Sequence, residues 1–82
     1  MAVAIVLINT DIGKETEVFE RLKKVPNVRE AYITYGTFDI VVKIEANNLN
    51  ELNNIITREI RNMPGIRSTL TLIGVEGRHF QR

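Results

Sequence analysis

Asp39 stands where a polar turn gives way to an apolar strand, in Tyr35-Gly36-Thr37-Phe38-Asp39-Ile40-Val41-Val42. Aspartate is depleted in strands, so a carboxylate at the mouth of one requires a reason. One reason is local: Asp39 caps the turn through its own backbone, a routine use of this residue. The other is a ligand. Asp39 offers an anion for an ammonium group by a charge-assisted hydrogen bond. Backbone N–H groups near Gly36, and threonine hydroxyls such as Thr69 and Thr71, offer donors for a carboxylate. Gly36 lets the backbone approach closely. Together these could hold a small polar ligand. Thr69 and Thr71 are explained equally well as strand residues, since threonine favours strands whatever its role.

Other chemistries find no support. The chain has no Cys and one His, His79, near its end. No Ser/His/Asp or Cys/His set can therefore be assembled. Glu30, Asp39 and Glu45 lie on or beside strands, but no pair of them is singled out for acid–base work. No ligand cluster for a metal is present, and neither metal nor cofactor is expected. A small dimeric enzyme using Asp39 or His79 in a pocket is the less favoured alternative, because this kind of fold hosts many functions.

Eleven basic and ten acidic residues leave a net charge of +1, too balanced to advertise nucleic acid as a partner. Arg78-His79-Phe80-Gln81-Arg82 is the one local basic excess, and a solvated tail accounts for it. The longest apolar run, Ala2 to Ile8, is too short to span a bilayer. No basic segment or cleavage pattern marks it as a signal. A soluble, cytoplasmic protein with no membrane partner is expected.

Eighty-two residues make one domain, 1–82, and 44% hydrophobic content argues for a packed core. A chain this short has a marginal core, and oligomerisation is one route to stability. Residues 3–9 are apolar on both alternating faces, which predicts a strand covered on both sides. A helix is predicted over 14–24, with Val18, Leu22 and Val25 as its stripe and Phe19 widening it. Glu17–Arg21 and Glu20–Lys24 are i,i+4 pairs, and Pro26 stops the helix. Val28 to Tyr35 reads as an edge strand of mixed polarity. Gly36-Thr37 turns the chain into a third strand, Phe38 to Ala46, with Phe38, Ile40, Val42 and Ile44 inward and Asp39, Val41, Lys43 and Glu45 outward. Asn47 to Asn50 supply caps for a second helix over 49–62, striped by Leu52, Ile55, Ile56 and Ile60. Pro64-Gly65 ends it. The last strand, 66–75, sets Ile66, Ser68, Leu70 and Leu72 opposite Arg67, Thr69, Thr71, Ile73 and Val75.

The order β-α-β-β-α-β is the ferredoxin-like α+β pattern. Right-handed crossovers put both helices on one face of an antiparallel sheet, with expected strand order 4-1-3-2. The other face should carry Val3 or Ala4, Val41 and Ile73, a patch too apolar for a monomer. A homodimer through that face is the expectation. The RNA-recognition module shares this topology but stacks bases on aromatic residues of its central strands. The first strand has none, and Phe38 is assigned to the core.

Three stretches resemble the effector domain of the leucine-responsive and asparagine-responsive regulators, the Lrp/AsnC family: the Gly-x-x-Asp of Gly36 to Asp39, the Pro-Gly-Ile of Pro64 to Ile66 with Thr69-x-Thr71, and Val25-Pro26-Asn27-Val28-Arg29-Glu30-Ala31-Tyr32. The resemblance covers essentially the whole chain. It implies an amino acid or related small-molecule effector, bound by Tyr35, Gly36, Thr37 and Asp39 with Ser68, Thr69 and Thr71. It also implies dimers assembling further, with ligand held between them, and a role in regulating transcription or amino-acid metabolism. Family regulators carry a helix-turn-helix before this domain. Here the first strand begins at the second residue, so a stand-alone domain without direct DNA binding is expected. A ligand-free adaptor that assembles with full-length family regulators is the alternative.

Overall fold

The computed structural model describes residues 1–82. Strand β1 (Ala2–Thr10) is followed by helix α1 (Glu15–Leu22), strands β2 (Val28–Ile33) and β3 (Ile40–Ala46), helix α2 (Leu49–Ile55) and strand β4 (Ile66–Ile73). The sheet is antiparallel with order β2-β3-β1-β4. This is the expected 4-1-3-2 arrangement, with β1 and β3 in the centre.

Strand alternation divides the sheet into two unlike faces. Ala4, Val6 and Ile8 of β1 and Ile40, Val42 and Ile44 of β3 are fully buried. They pack with Val18 and Leu22 of α1 and with Leu52, Ile56 and Ile60 from the second helical segment. On the opposite face, Ile5 and Leu7 of β1 lie beside Leu72 and Leu70 of β4. Leu70 and Leu72 are about half exposed, at 49% and 51%. The other half of that face is charged. Lys43 bridges Glu30 at 3.8 Å and Glu45 at 3.5 Å, and Glu45 bridges Arg29 at 3.5 Å.

Several local expectations need correction. Ile73 belongs to the helix side, because it pairs with Ala4; Val3 and Val41 lie on the open side. Ile66 also joins the helix side. A register shift between Asn9 and Thr10 sets it opposite buried Thr10, and it packs against the core. Glu20 pairs with Lys23 at 3.0 Å rather than with Lys24, while Glu17–Arg21 forms at 3.4 Å. The β2–β3 connection is no two-residue hairpin turn: β2 stops at Ile33 and β3 starts at Ile40.

The second helix changes geometry partway. Asn48 caps its start, its side chain accepting from the Glu51 N–H at 2.8 Å. From Ile56 to Ile60 the chain winds as a π-helix, and the Arg61 N–H donates to the Ile56 carbonyl five residues back at 2.9 Å. Gly65 then reverses the chain at φ +92°, and a Cβ there would stand 2.9 Å from Val18 Cγ2. Only glycine fits both the backbone angle and that contact.

Candidate functional site

The loop between β2 and β3 is built by polar side chains standing in for ladder bonds. Thr34 closes it twice: its N–H donates to the Asp39 carbonyl at 2.9 Å, and its hydroxyl donates to the Phe38 carbonyl at 2.8 Å. With the Phe38 carbonyl turned to Thr34, the buried Thr10 N–H needs another acceptor. Asp39 supplies it. Its Oδ2 accepts from the Thr10 N–H at 2.8 Å and from the Thr10 hydroxyl at 3.2 Å. The Asp39 N–H itself donates to the Ile8 carbonyl at 2.9 Å.

Neither sequence-based account of Asp39 included this. The carboxylate does not cap its own turn; it stitches β3 to the end of β1. Nor does Asp39 simply face outward, since it reaches buried Thr10. Both bonds fall on one oxygen, and no cation pairs with the group, so Oδ1 retains its acceptor capacity. The turn before it is open. Tyr35, Gly36 and Thr37 are exposed. Gly36 has φ +109°, and a Cβ there would meet nothing within 4 Å. A side chain at this position is therefore opposed by backbone strain and not by packing.

The fourth-strand residues divide between the two faces. Ser68 pairs with Asn9 at the same end of the sheet as Asp39, with β1 between them, which sets the two strands about 10 Å apart. Thr69 and Thr71 pair with Ile8 and Val6 and share the helix side. They line an open cleft of about 390 Å³ with Ile73, and with Asn53, Ile56 and Arg61 of the second helical segment. A second cleft, of about 310 Å³, lies by Met1, Asn48 and Glu76. Tyr35, Gly36, Thr37 and Asp39 line neither of these. Within one chain, the turn residues and Asp39 thus come together, while Thr69 and Thr71 form a separate group.

Sequence reasoning missed Thr10 and Arg61. Thr10 gave no signal beyond being a polar residue at the end of an apolar strand. Arg61 gave a weak one: the residues three and four before it are Arg58 and Thr57, so an ordinary helix offers it no acidic partner. Elsewhere, Tyr32 donates to Glu30 at 2.6 Å. That bond, followed by the carboxylate's charge, raises the phenol above the ordinary tyrosine value. No group of three His, Cys, Asp or Glu residues is placed to hold a metal, and no helix is long and apolar enough to cross a membrane.

The fold and the glycine turn define an α+β domain of ferredoxin-like type with one sheet face left open. Residues 3–76 match the profile of the Lrp/AsnC ligand binding domain, and the chain belongs to that family. The HTH-type transcriptional regulator FL11 of Pyrococcus horikoshii is 41% identical over 70 residues, which are 85% of this chain and 46% of the regulator. The chain thus spans about half the length of the FL11 regulators it matches. The crystal structure of FFRP-DM1 superposes with a TM-score of 0.88 at 45% identity, covering 92% of this chain and 100% of the other. A homocitrate synthase of Sulfurisphaera tokodaii is 48% identical over 56 residues, 68% of this chain but only 12% of the enzyme.

Proposed function

We propose that this chain is an effector domain that binds a free amino acid, or a close relative of one, and oligomerises to do so. Asp39 is the observation that carries the reading. It is an acid at a glycine turn, beside exposed backbone, with one oxygen held and no cation paired. In this reading the ammonium group meets the free side of Asp39, and the carboxylate meets donors near Gly36 or hydroxyls of Ser68, Thr69 and Thr71. The two groups of residues lie apart in one chain, so the ligand is completed between copies.

The open sheet face supports a homodimer. Ile5, Leu7, Leu70 and Leu72 form an apolar strip beside the Arg29–Glu45–Lys43–Glu30 ion pairs, and an isologous contact buries the strip of both copies. Assembly of dimers, or joint assembly with full-length family regulators, follows the same logic. The role is regulation of transcription or amino-acid metabolism in the cytoplasm, exerted through ligand binding and assembly. The match to 12% of an enzyme supports a module whose use is not tied to a DNA reader.

A thermal shift screen across the amino acids tests the ligand, because a compound binding only the folded state raises apparent stability. At least one amino acid is expected to raise the midpoint in a concentration-dependent way. If none does at millimolar concentration, the ligand-free adaptor replaces this reading. The two faces of β1 test the dimer. Ile5→Lys should yield a folded monomer in light scattering, whereas Val6→Lys, which buries a charge in the core, should not fold. An Ile5→Lys protein that remains dimeric would place the contact elsewhere.

A further inference from the structure

We propose that the segment after β4, residues 75–82, docks on the free β2 edge of a second copy of this chain, with Phe80 against Tyr32 of that copy and an arginine against its Glu30. The inference rests on the homodimer proposed above to bring two copies together, and it gives that pair a second contact.

The segment leaves β4 with little to hold it. The Gly74 N–H donates to the Val3 carbonyl at 2.8 Å, and beyond it the only backbone bond runs from the Arg78 N–H to the Val75 carbonyl at 3.0 Å. Glu76 meets the Met1 amine at 3.9 Å, with both groups exposed, a pair worth little to stability. Phe80 is 83% exposed, so its apolar area is there for a partner surface to cover. Arg82 stands 5.6 Å from the centre of the Phe80 ring. Neither Arg78 nor Arg82 joins an ion pair.

The β2 edge has the complementary lack. β2 lies at the margin of the sheet and pairs only with β3. The Thr34 N–H bonds the Asp39 carbonyl, and the Glu45 N–H bonds the Asn27 carbonyl. Strand alternation then turns the backbone groups of Glu30 and Tyr32 toward β3 and those of Ala31 and Ile33 outward. Such outward groups accept an added strand. Tyr32 pairs with Val41, and Val41 with Leu7, so the side chains of Tyr32 and Glu30 lie on the open face. Glu30 accepts from the Tyr32 hydroxyl at 2.6 Å and meets Lys43 only at 3.8 Å, which leaves it acceptor capacity.

The two patterns fit each other. Residues two apart share a face of an extended segment, so Arg78, Phe80 and Arg82 share one, with an arginine on each side of the ring. Phe80 beside Tyr32 therefore sets an arginine beside Glu30 whichever way the segment runs. The contact combines an aromatic pair, a charge-assisted hydrogen bond and a short ladder. The chain's own β2 is three strands from β4, about 14 Å across the sheet, whereas a copy packed on the open face stands about 10 Å away. A segment crossing its own open face would also cover Leu70 and Leu72, which the dimer uses. Two-fold symmetry makes the exchange reciprocal.

The chain has no Cys, so Gln81→Cys provides a single site for a nitroxide tag. Tagged copies are co-refolded from urea with isotope-labelled, untagged wild type, and NMR line broadening in the labelled copies then reads contact between copies. Ala31, Tyr32 and Ile33 are expected to broaden. Phe80→Ser in the tagged copy, or Glu30→Lys in the labelled one, should remove most of that broadening while light scattering still shows a dimer. In hydrogen exchange, the Ala31 and Ile33 amides of the wild type should exchange about ten-fold more slowly than in a chain ending at Gly77, with the Tyr32 amide unchanged. A dimer without broadening on β2 would overturn the exchange and leave the homodimer standing. Broadening of β2 only when tag and label sit on the same copy would overturn it too, placing the segment on its own sheet. Undiminished broadening with Phe80→Ser would remove the assigned contact. A monomeric wild type would overturn both the exchange and the homodimer.

Discussion

The Asp39 turn and the Arg61 cleft carry opposite charges and opposite commitments. Asp39 already serves the fold, because its carboxylate satisfies the buried Thr10 N–H and hydroxyl. Arg61 serves no intramolecular partner. A charge that is half-used by the protein is held rigidly and offers a ligand a defined direction. A charge that is unused waits for one, and costs little stability if it is removed. The two also lie apart in the chain, with β1 between Asp39 and β4. A zwitterion cannot be read as sitting in either place alone. In the proposed function this separation is why the site is completed between copies.

Substitutions separate the two roles. Asp39→Ala should have the largest effect on the fold, about 2 kcal/mol, because it strands a buried backbone donor and removes its charged acceptor. Urea denaturation at fixed protein concentration measures it. Asp39→Asn keeps an acceptor for Thr10 and removes the charge, so its stability loss should stay below ~1 kcal/mol. If Asn and Ala variants are equally unstable, Thr10 needs the charge itself and the split between structural and ligand roles fails. Arg61→Gln should change stability by no more than about 0.5 kcal/mol, as an exposed residue with no ion pair. A larger loss would mean that Arg61 has a structural duty and that the contrast with Asp39 is false.

The smallest expected effect is a pH control on the open face, where Tyr32 pairs with Val41. In a Tyr35→Phe background, the remaining phenol of Tyr32 should titrate above the ordinary tyrosine value near 10, because Glu30 accepts its proton bond and repels the phenolate. A raised folded value means that any stabilisation is present below the unfolded value and is lost as pH rises through the folded one. Absorbance titration reads the midpoint, and Glu30→Gln should lower it. No change on that substitution would show that the Tyr32–Glu30 bond does not persist in solution.

What the sequence made legible follows from what periodicity can carry. The doubly apolar run of residues 3–8 and the alternation of Ile40, Val42 and Ile44 placed β1 and β3 at the centre correctly. The stripes of Val18 with Leu22 and of Leu52, Ile56 with Ile60 located both helices. Gly36 and Gly65 were legible because each needs a positive φ. Single-residue departures from the repeat were not. The register shift at Asn9/Thr10 moved Ile66 to the core side. The π-turn from Ile56 to Ile60, closed by the Arg61 N–H on the Ile56 carbonyl, is a five-residue repeat that no apolar stripe announces. Asp39 drew notice as a charge in the wrong place, but its partner Thr10 lies 29 residues earlier, and no local pattern joins them.

The proposed role of Asp39, receiving the ammonium group of an amino-acid effector, is decided by titration calorimetry of the wild type against Asp39→Asn. Saturable binding of an amino acid to the wild type is expected, with a loss of about ten- to a hundred-fold in affinity in the variant and the folded state preserved. Equal affinity in the two proteins would contradict it and move the ammonium site away from Asp39.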